Sequence, residues 1–181
     1  MLTQHKIGNS TLELVTGDIT KEETEAIVNA ANHELSPGGG VSGAIHRAAG
    51  AQLWEECKGL GGCNTGEAKL SGGYNLKAKY VIHTVGPIYS GKASDSENLK
   101  NSYYNSLLLA SQNNIKSISF PSISTGVFGY PVKEASLIAL KTIIDFLKAH
   151  QEIKLVKMVL FSERDYNTYK SSLEKILKEE K

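Results

Sequence analysis

Apolar and polar positions along the chain fall into short β-type runs separated by stretches of helical period. Thr11-Leu12-Glu13-Leu14-Val15 alternates as a half-buried strand does and ends at Gly17-Asp18. Ala26-Ile27-Val28-Asn29-Ala30 is a continuous run of buried-strand type, and Lys79 to Val85 is β-branched and stops at Gly86-Pro87. Ser117 to Phe120 stops at Pro121, Lys154 to Phe161 is the last strong strand, and Glu67 to Leu70 is a weaker one bounded by Gly66 and Gly72-Gly73. Helical period covers Ser42–Ala49, Leu99–Gln112 (Leu99, Tyr103, Leu107 and Ala110 on one face), Val132–Ala149 with a broad apolar stripe, and Asp165–Lys178 with Tyr169, Leu173 and Ile176 inward. The polar stretch Ser90–Asn98 reads as a surface loop. This alternation predicts an α/β fold with parallel or mixed strand pairing and helices on both faces of the sheet. With no internal repeat and no long linker, residues 1–181 read as one domain.

Composition narrows the function classes. The 181 residues are 40% hydrophobic and 22% charged, as in ordinary globular proteins. The net charge of +1 supplies no general drive toward nucleic acid or a membrane surface. An anionic ligand must then be held by local groups, chiefly backbone N–H and helix N-termini. Cys57 and Cys63 lack metal-ligand spacing and a neighbouring His cluster, so reduced thiols and no metal are expected. Met1 to Lys6 lacks a signal-peptide apolar run and no segment is long enough to span a bilayer, which predicts a cytoplasmic protein.

Four segments follow predicted strands, where sheets of this class gather ligands. In Pro37-Gly38-Gly39-Gly40-Val41-Ser42-Gly43, consecutive glycines let the backbone approach a ligand, and the helix that follows directs free N–H groups at it. The entropic cost of three glycines favours a phosphate role over a merely flexible connection. The spacing is neither that of a P-loop nor that of a dinucleotide-binding fingerprint. Ser122 to Tyr130 reads equally as a second anion-binding nest or as an ordinary turn; two such loops would suit a diphosphate. Asn32 in Asn29-Ala30-Ala31-Asn32 suits a ribose hydroxyl or, without further context, a loop or helix cap. Asp18 caps the turn after it or accepts from an adenine amino group, and Phe161 is a core residue or a stacking face. His83 reads as a hydrogen-bonded core histidine, and His46 is open between a structural and a functional role. Neither cysteine has a base beside it in sequence, which argues against a nucleophile.

Taken in order, Gly17-Asp18-Ile19-Thr20, Ile27 to Asn32, Gly38 to Gly50, Tyr80 to Pro87 and Phe120 to Gly126 resemble the macrodomain family, and Cys63 to Ala68 and Phe161 to Tyr166 resemble its MacroD-type branch. The resemblance covers nearly the whole chain. It implies a three-layer α/β/α macrodomain-like fold around a central mixed, largely parallel sheet, and an ADP-ribose cleft. Asp18 and Ile19 would meet the adenine, with Phe161 stacked on it. Gly39, Gly40, Val41 and Ser42 would face Ser124, Thr125, Gly126, Val127 and Phe128 across the diphosphate and distal ribose, and Asn32 would hold a distal-ribose hydroxyl. The implied activity is removal of mono-ADP-ribose from modified proteins, with deacetylation of O-acetyl-ADP-ribose in some relatives. It needs no cofactor or metal, and the expected partners are ADP-ribose and mono-ADP-ribosylated proteins bound by a monomer.

One residue departs from the pattern. MacroD-type enzymes carry Asp after Gly-Gly-Gly-Val, where this chain has Ser42. A hydroxyl can position water but is a poor base at neutral pH, and losing a general base costs roughly 10²–10⁴-fold in rate. Asn32 and Ser42 are the expected catalytic pair; a non-catalytic ADP-ribose reader is the alternative.

Overall fold

The computed structural model describes residues 1–180. Seven strands form one sheet: β1 (Leu2–Ile7), β2 (Ser10–Thr16), β3 (Ala26–Ala30), β4 (Ala68–Gly72), β5 (Tyr80–Thr84), β6 (Ser117–Phe120) and β7 (Leu155–Leu160). Five helices accompany them: α1 (Gly40–Ala49), α2 (Ala51–Cys57), α3 (Ala93–Gln112), α4 (Val132–Ala149) and α5 (Glu163–Glu179). The strand order is β1-β2-β7-β6-β3-β5-β4, in which β2, β7, β6, β3 and β5 run parallel while β1 and β4 are antiparallel edges. The sheet is thus mixed and largely parallel, as expected.

Strand alternation divides the core in two. Ala26, Val28, Ile82, Ile118, Phe120, Val156 and Met158 pack against α3, α4 and α5, whereas Ile27, Val81 and Val159 point the other way, toward α1 and α2. Both faces are therefore covered, which is why β3 reads as an unbroken apolar run. The result is a three-layer α/β/α architecture.

Three features differ from the sequence reading. The edge strand β1 has no buried residue before Ile7, so little hydrophobic signal marks it. Helix α2 follows α1 after only Gly50, whose φ of 92° turns the chain between them. The Ser90–Asn98 stretch is not all loop: α3 begins at Ala93, and its first turns are polar because all but Asp95 and the half-buried Asn98 face solvent.

Topology marks a ligand position before any side chain does. From β3 the chain crosses to β5 on one side, and from β6 it crosses through α4 to β7 on the other, so the connections diverge between β3 and β6. Only two residue pairs, Ala26↔Ile118 and Ile27↔Ser119, join these strands. A crevice opens beyond their carboxyl ends, as at the switch points of other open α/β sheets.

Candidate functional site

Five parallel strands end on this edge, bringing together residues far apart in sequence. Asp18 follows β2, Phe161 follows β7, Asn32 follows β3, the Ser122–Tyr130 loop follows β6, and Val85-Gly86-Pro87 follows β5. Asp18 and Phe161 are neighbours because β2 and β7 pair up to Thr16↔Leu160, and the Gly17 amide donates to the Leu160 carbonyl at 3.0 Å.

At the β2 end, Asp18 is exposed and caps a single 3₁₀ turn, Ile19–Lys21, accepting from the Thr20 amide at 3.0 Å and the Thr20 hydroxyl at 2.7 Å. These bonds, the side-chain one foremost, hold its carboxyl below the usual aspartate range. The capping role read from sequence is therefore present, and one carboxylate oxygen keeps free lone pairs. Ile19 is buried beneath it. Phe161 stands 92% exposed, an apolar ring facing water at a strand end rather than the core.

The glycine loop enters α1 with Gly39 as N-cap, no side-chain cap and no acidic residue in the first turn. No carboxylate in that first turn screens its free amides, which favours holding an anion. Gly43 is required by packing: a Cβ there would run into the Gly38 carbonyl oxygen. Gly40 has a φ of 54°, the left-handed region that favours glycine. Val41 is half-buried and Ser42 is buried, its hydroxyl donating to the Ser36 carbonyl at 3.4 Å. Asn32 is half-buried; its amide donates to the Ser36 carbonyl at 3.1 Å and its carbonyl oxygen accepts from the Ser36 amide at 2.9 Å. Asn32 and Ser42 thus share Ser36 as a common anchor.

Across the crevice, the Ser122–Tyr130 loop is held from below. The Tyr103 hydroxyl donates to the Pro121 carbonyl at 3.3 Å and accepts from the Ile123 amide at 3.0 Å; that of Tyr169 lies 2.6 Å from the Ser122 hydroxyl. Burial drives both phenol pKa values up, that of Tyr169 to about 12, so these contacts stay neutral. Thr125 bonds back to Ser122, Gly126 and Val127 are exposed, and Phe128 is half-buried. Ser124 has a φ of 68° and a buried hydroxyl with no partner. Beside Asn32 and Phe128 lies a cleft of about 320 Å³ whose other walls include Thr65, Pro87 and Ile88.

Beneath α1 and α2 sits a buried polar cluster. His83 lies between Asn29 (3.1 Å from Nδ1) and Ser71 (2.8 Å from Nε2), with Cys57 Sγ 3.6 Å from Nε2. Folding therefore gives Cys57 the neighbouring base that its sequence lacks, but not the chemistry. Burial pushes the thiol up to about 11 and the imidazole down to about 3, so thiolate and imidazolium do not form together. His83 is a hydrogen-bonded core histidine, as expected. His46, also buried, has its pKa lowered by desolvation, and neither ring nitrogen has a partner. Cys63 is buried and free, like Cys57. Among the described residues no group of three His, Cys, Asp or Glu side chains is placed to hold a metal ion, and no helix is long and apolar enough to cross a membrane.

Residues 28–139 match the macro domain family, from the buried strand β3 through the crevice into α4. The chain is a macro domain. It is 52% identical over 165 residues to human ADP-ribose glycohydrolase MACROD2, a match covering 90% of this chain and 39% of that protein. It is 53% identical over 169 residues to an uncharacterised protein of Fusobacterium nucleatum, covering 92% of this chain and 96% of the relative. Among solved structures, the Oceanobacillus iheyensis macrodomain with ADP superposes with a TM-score of 0.96 at 48% identity, over 99% of this chain and 98% of that one. The Trypanosoma brucei macrodomain in complex with ADP-ribose gives 0.85 at 42% identity, over 90% and 68%.

Of the residues lining the cleft beside Asn32, the sequence reading singled out Asn32 and Phe128 as candidate site residues but not His33, Thr65, Ile88, Asp95 or Asn98. It also missed that Tyr103 and Tyr169 brace the second loop, because both were read only as inward apolar positions. The X-Gly-Pro break at Val85-Gly86-Pro87 was the available signal: a strand-ending glycine marks a close backbone approach, and a Cβ on Gly86 would run into Ser124 and Ile123.

Proposed function

We propose that this macro domain binds ADP-ribose in the crevice and hydrolyses mono-ADP-ribose from modified proteins. The observation that carries the reading is that the uncapped, acid-free N-terminus of α1, which follows β3, and the Ser124–Phe128 loop, which follows β6, both leave the sheet at the β3–β6 switch point, with the exposed Phe161 ring at the end of the neighbouring β7. Free amides on one side and a tight hydroxyl-and-glycine turn on the other suit a diphosphate. Phe161 offers a stacking face and Asp18 an acceptor for an adenine amino group; Ile19 forms the floor. Asn32, fixed by Ser36, offers its amide to a distal-ribose hydroxyl. The names of the relatives support the reading: one is an ADP-ribose glycohydrolase, and others were solved with ADP or ADP-ribose.

For catalysis, Asn32 positions the distal ribose and Ser42 orients a water by hydrogen bonding. A serine hydroxyl cannot hold the proton that water gives up at neutral pH, so turnover rests on positioning and on the substrate's own phosphate. An acetyl ester on the same ribose would occupy the same place, which extends the proposal to O-acetyl-ADP-ribose. The absence of a carboxylate from the first turn of α1 favours a second reading, a non-catalytic reader of ADP-ribose.

Release of ADP-ribose from mono-ADP-ribosylated protein, measured beside calorimetric titration with ADP-ribose, separates the two. Binding with turnover that Asn32→Ala abolishes supports the hydrolase; binding with no release above buffer at micromolar protein leaves the reader. No binding overturns both. A large gain of rate in Ser42→Asp would identify position 42 as the limit on the reaction.

A further inference from the structure

The seven-residue link from Gly86 to the start of α3 touches the Ser122–Tyr130 loop repeatedly. Gly86 is pressed so close to Ser124 and Ile123 that no side chain fits between them. Three residues on, the Tyr89 amide donates to the Phe128 carbonyl at 2.9 Å, and the Tyr89 ring packs on Tyr130 with centroids 4.9 Å apart. Two consecutive turns of the ligand-facing loop therefore lean on one strap.

What fixes the strap is Asp95. It is 5% exposed, although it lies in the first turn of a helix whose other early residues face water. Its carboxylate accepts from the Ser90 amide at 2.7 Å, the Ser90 hydroxyl at 2.9 Å and the Gly91 amide at 2.9 Å. All of these donors lie ahead of the helix, in the strap. Gly91 has a φ of 80°, which lets the chain fold back over the carboxylate. A buried carboxylate is costly unless its acceptor sites are filled, and here they are filled only when the strap is in place. The three bonds, led by the Ser90 amide, also hold its pKa below the usual aspartate range, so the charge persists at neutral pH.

We propose that Asp95 is a positioning residue for the distal-ribose end of the cleft: it locks the Gly86–Gly91 strap, and the strap sets the position of Phe128 and the Ser124–Gly129 loop. This inference rests on the ADP-ribose reading above. The strap joins the cleft beside Asn32 and Phe128, whereas Asp18 and Phe161, at the adenine end of that reading, follow β2 and β7. Loosening it should therefore weaken what the far end of the ligand contributes and spare the adenosine end.

The experiment is paired calorimetric titration of wild type, Asp95→Ala and Asp95→Asn with ADP-ribose and with AMP. Loss of a charge-assisted anchor predicts about tenfold weaker ADP-ribose binding in Asp95→Ala. AMP affinity should stay within about twofold of wild type, which also reports an intact fold at the adenine end. Asp95→Asn keeps one acceptor oxygen and should recover part of the loss, which a merely space-filling role does not predict. Tyr89→Leu keeps the backbone bond to Phe128 but loses the Tyr130 contact, and should shift the ADP-ribose to AMP ratio in the same direction. It carries the test if Asp95→Ala does not fold. An unchanged ratio in the folded variants, or equal loss of both ligands, overturns the proposal. Failure of wild type to bind ADP-ribose overturns the underlying reading instead.

Discussion

Acidification from pH 7 to pH 5 should destabilise this protein measurably, and His83 should be the main cause. Its imidazole is fully buried among Asn29, Ser71 and Cys57, and burial foremost, with His46 nearby, lowers its pKa to about 3. In the unfolded chain the same group titrates near 6.5. Between these values the unfolded state binds one proton more than the folded state, so stability is complete above about pH 6.5 and falls as pH drops. Each pH unit in that window costs about 1.4 kcal/mol, which makes the loss about 2 kcal/mol by pH 5. That is a large part of the 5–15 kcal/mol typical of a domain. His46, shifted in the same direction by burial, adds to the slope. The carboxylates Asp18, Asp95 and Glu152 have lowered pKa values and lose their contribution only as pH falls below the normal carboxylate range, so the window above pH 5 belongs to the histidines. Urea unfolding followed by the single tryptophan, Trp54 on α2, measures the effect at both pH values. His83→Gln keeps an amide near Ser71 and Asn29 but has no proton to gain. Whatever its absolute stability, its loss between pH 7 and 5 should be smaller than wild type's by about 2 kcal/mol. Equal pH dependence in the two proteins would refute the reasoning.

Other substitutions test the site and its frame. Gly43→Ala forces the new Cβ against the Gly38 carbonyl and should cost about 1–3 kcal/mol in thermal or urea unfolding, whereas Gly39→Ala, with open space around it, should cost less than about 1 kcal/mol. Phe161→Ala removes an exposed ring and should leave the melting temperature unchanged while weakening ADP-ribose binding about tenfold by calorimetry. Cys57 and Cys63 both have pKa values raised by burial, so at pH 8 an aromatic disulfide reagent should react with neither at an appreciable rate until urea unfolds the chain; rapid native labelling would contradict the packing around α2.

The central strands were legible because both kinds of signal agreed. β-branched runs stop at Gly17, Gly86 or Pro121, and burial on both faces removes polar alternation from β3 and β5. The first edge strand was not legible, because Leu2 and Gln4 sit where one side of the strand meets solvent and no periodic contrast survives. The start of α3 was hidden for a related reason. Its first turns bury only Asp95 fully, and a buried aspartate looks polar in sequence whatever it does in the fold. The candidate residues were legible as candidates because the chemistry of glycine, asparagine and aromatic residues at strand ends is local. Their supports were missed because they are not. Tyr89 reaches Phe128 through a backbone amide, which any residue except proline supplies, so no choice of side chain records that contact.

The same distinction separates binding from hydrolysis. The groups proposed to hold ADP-ribose are mainly backbone amides at the α1 N-terminus and in the Ser124–Phe128 loop, set by a sheet whose strand ends converge on one edge. Side-chain substitution leaves most of them in place. The hydrolysis proposed above rests on a few atoms between Asn32 and Ser42, both anchored on Ser36, where a single change of residue type alters what a water can donate its proton to. On that proposal, hydrolysis can be lost or regained at one position while ligand affinity follows the loops. Ser42 marks that division in the glycine loop, and Asp95 marks it on the opposite wall, since the strap it locks governs where the distal ribose stands relative to Asn32 rather than whether the adenosine end binds.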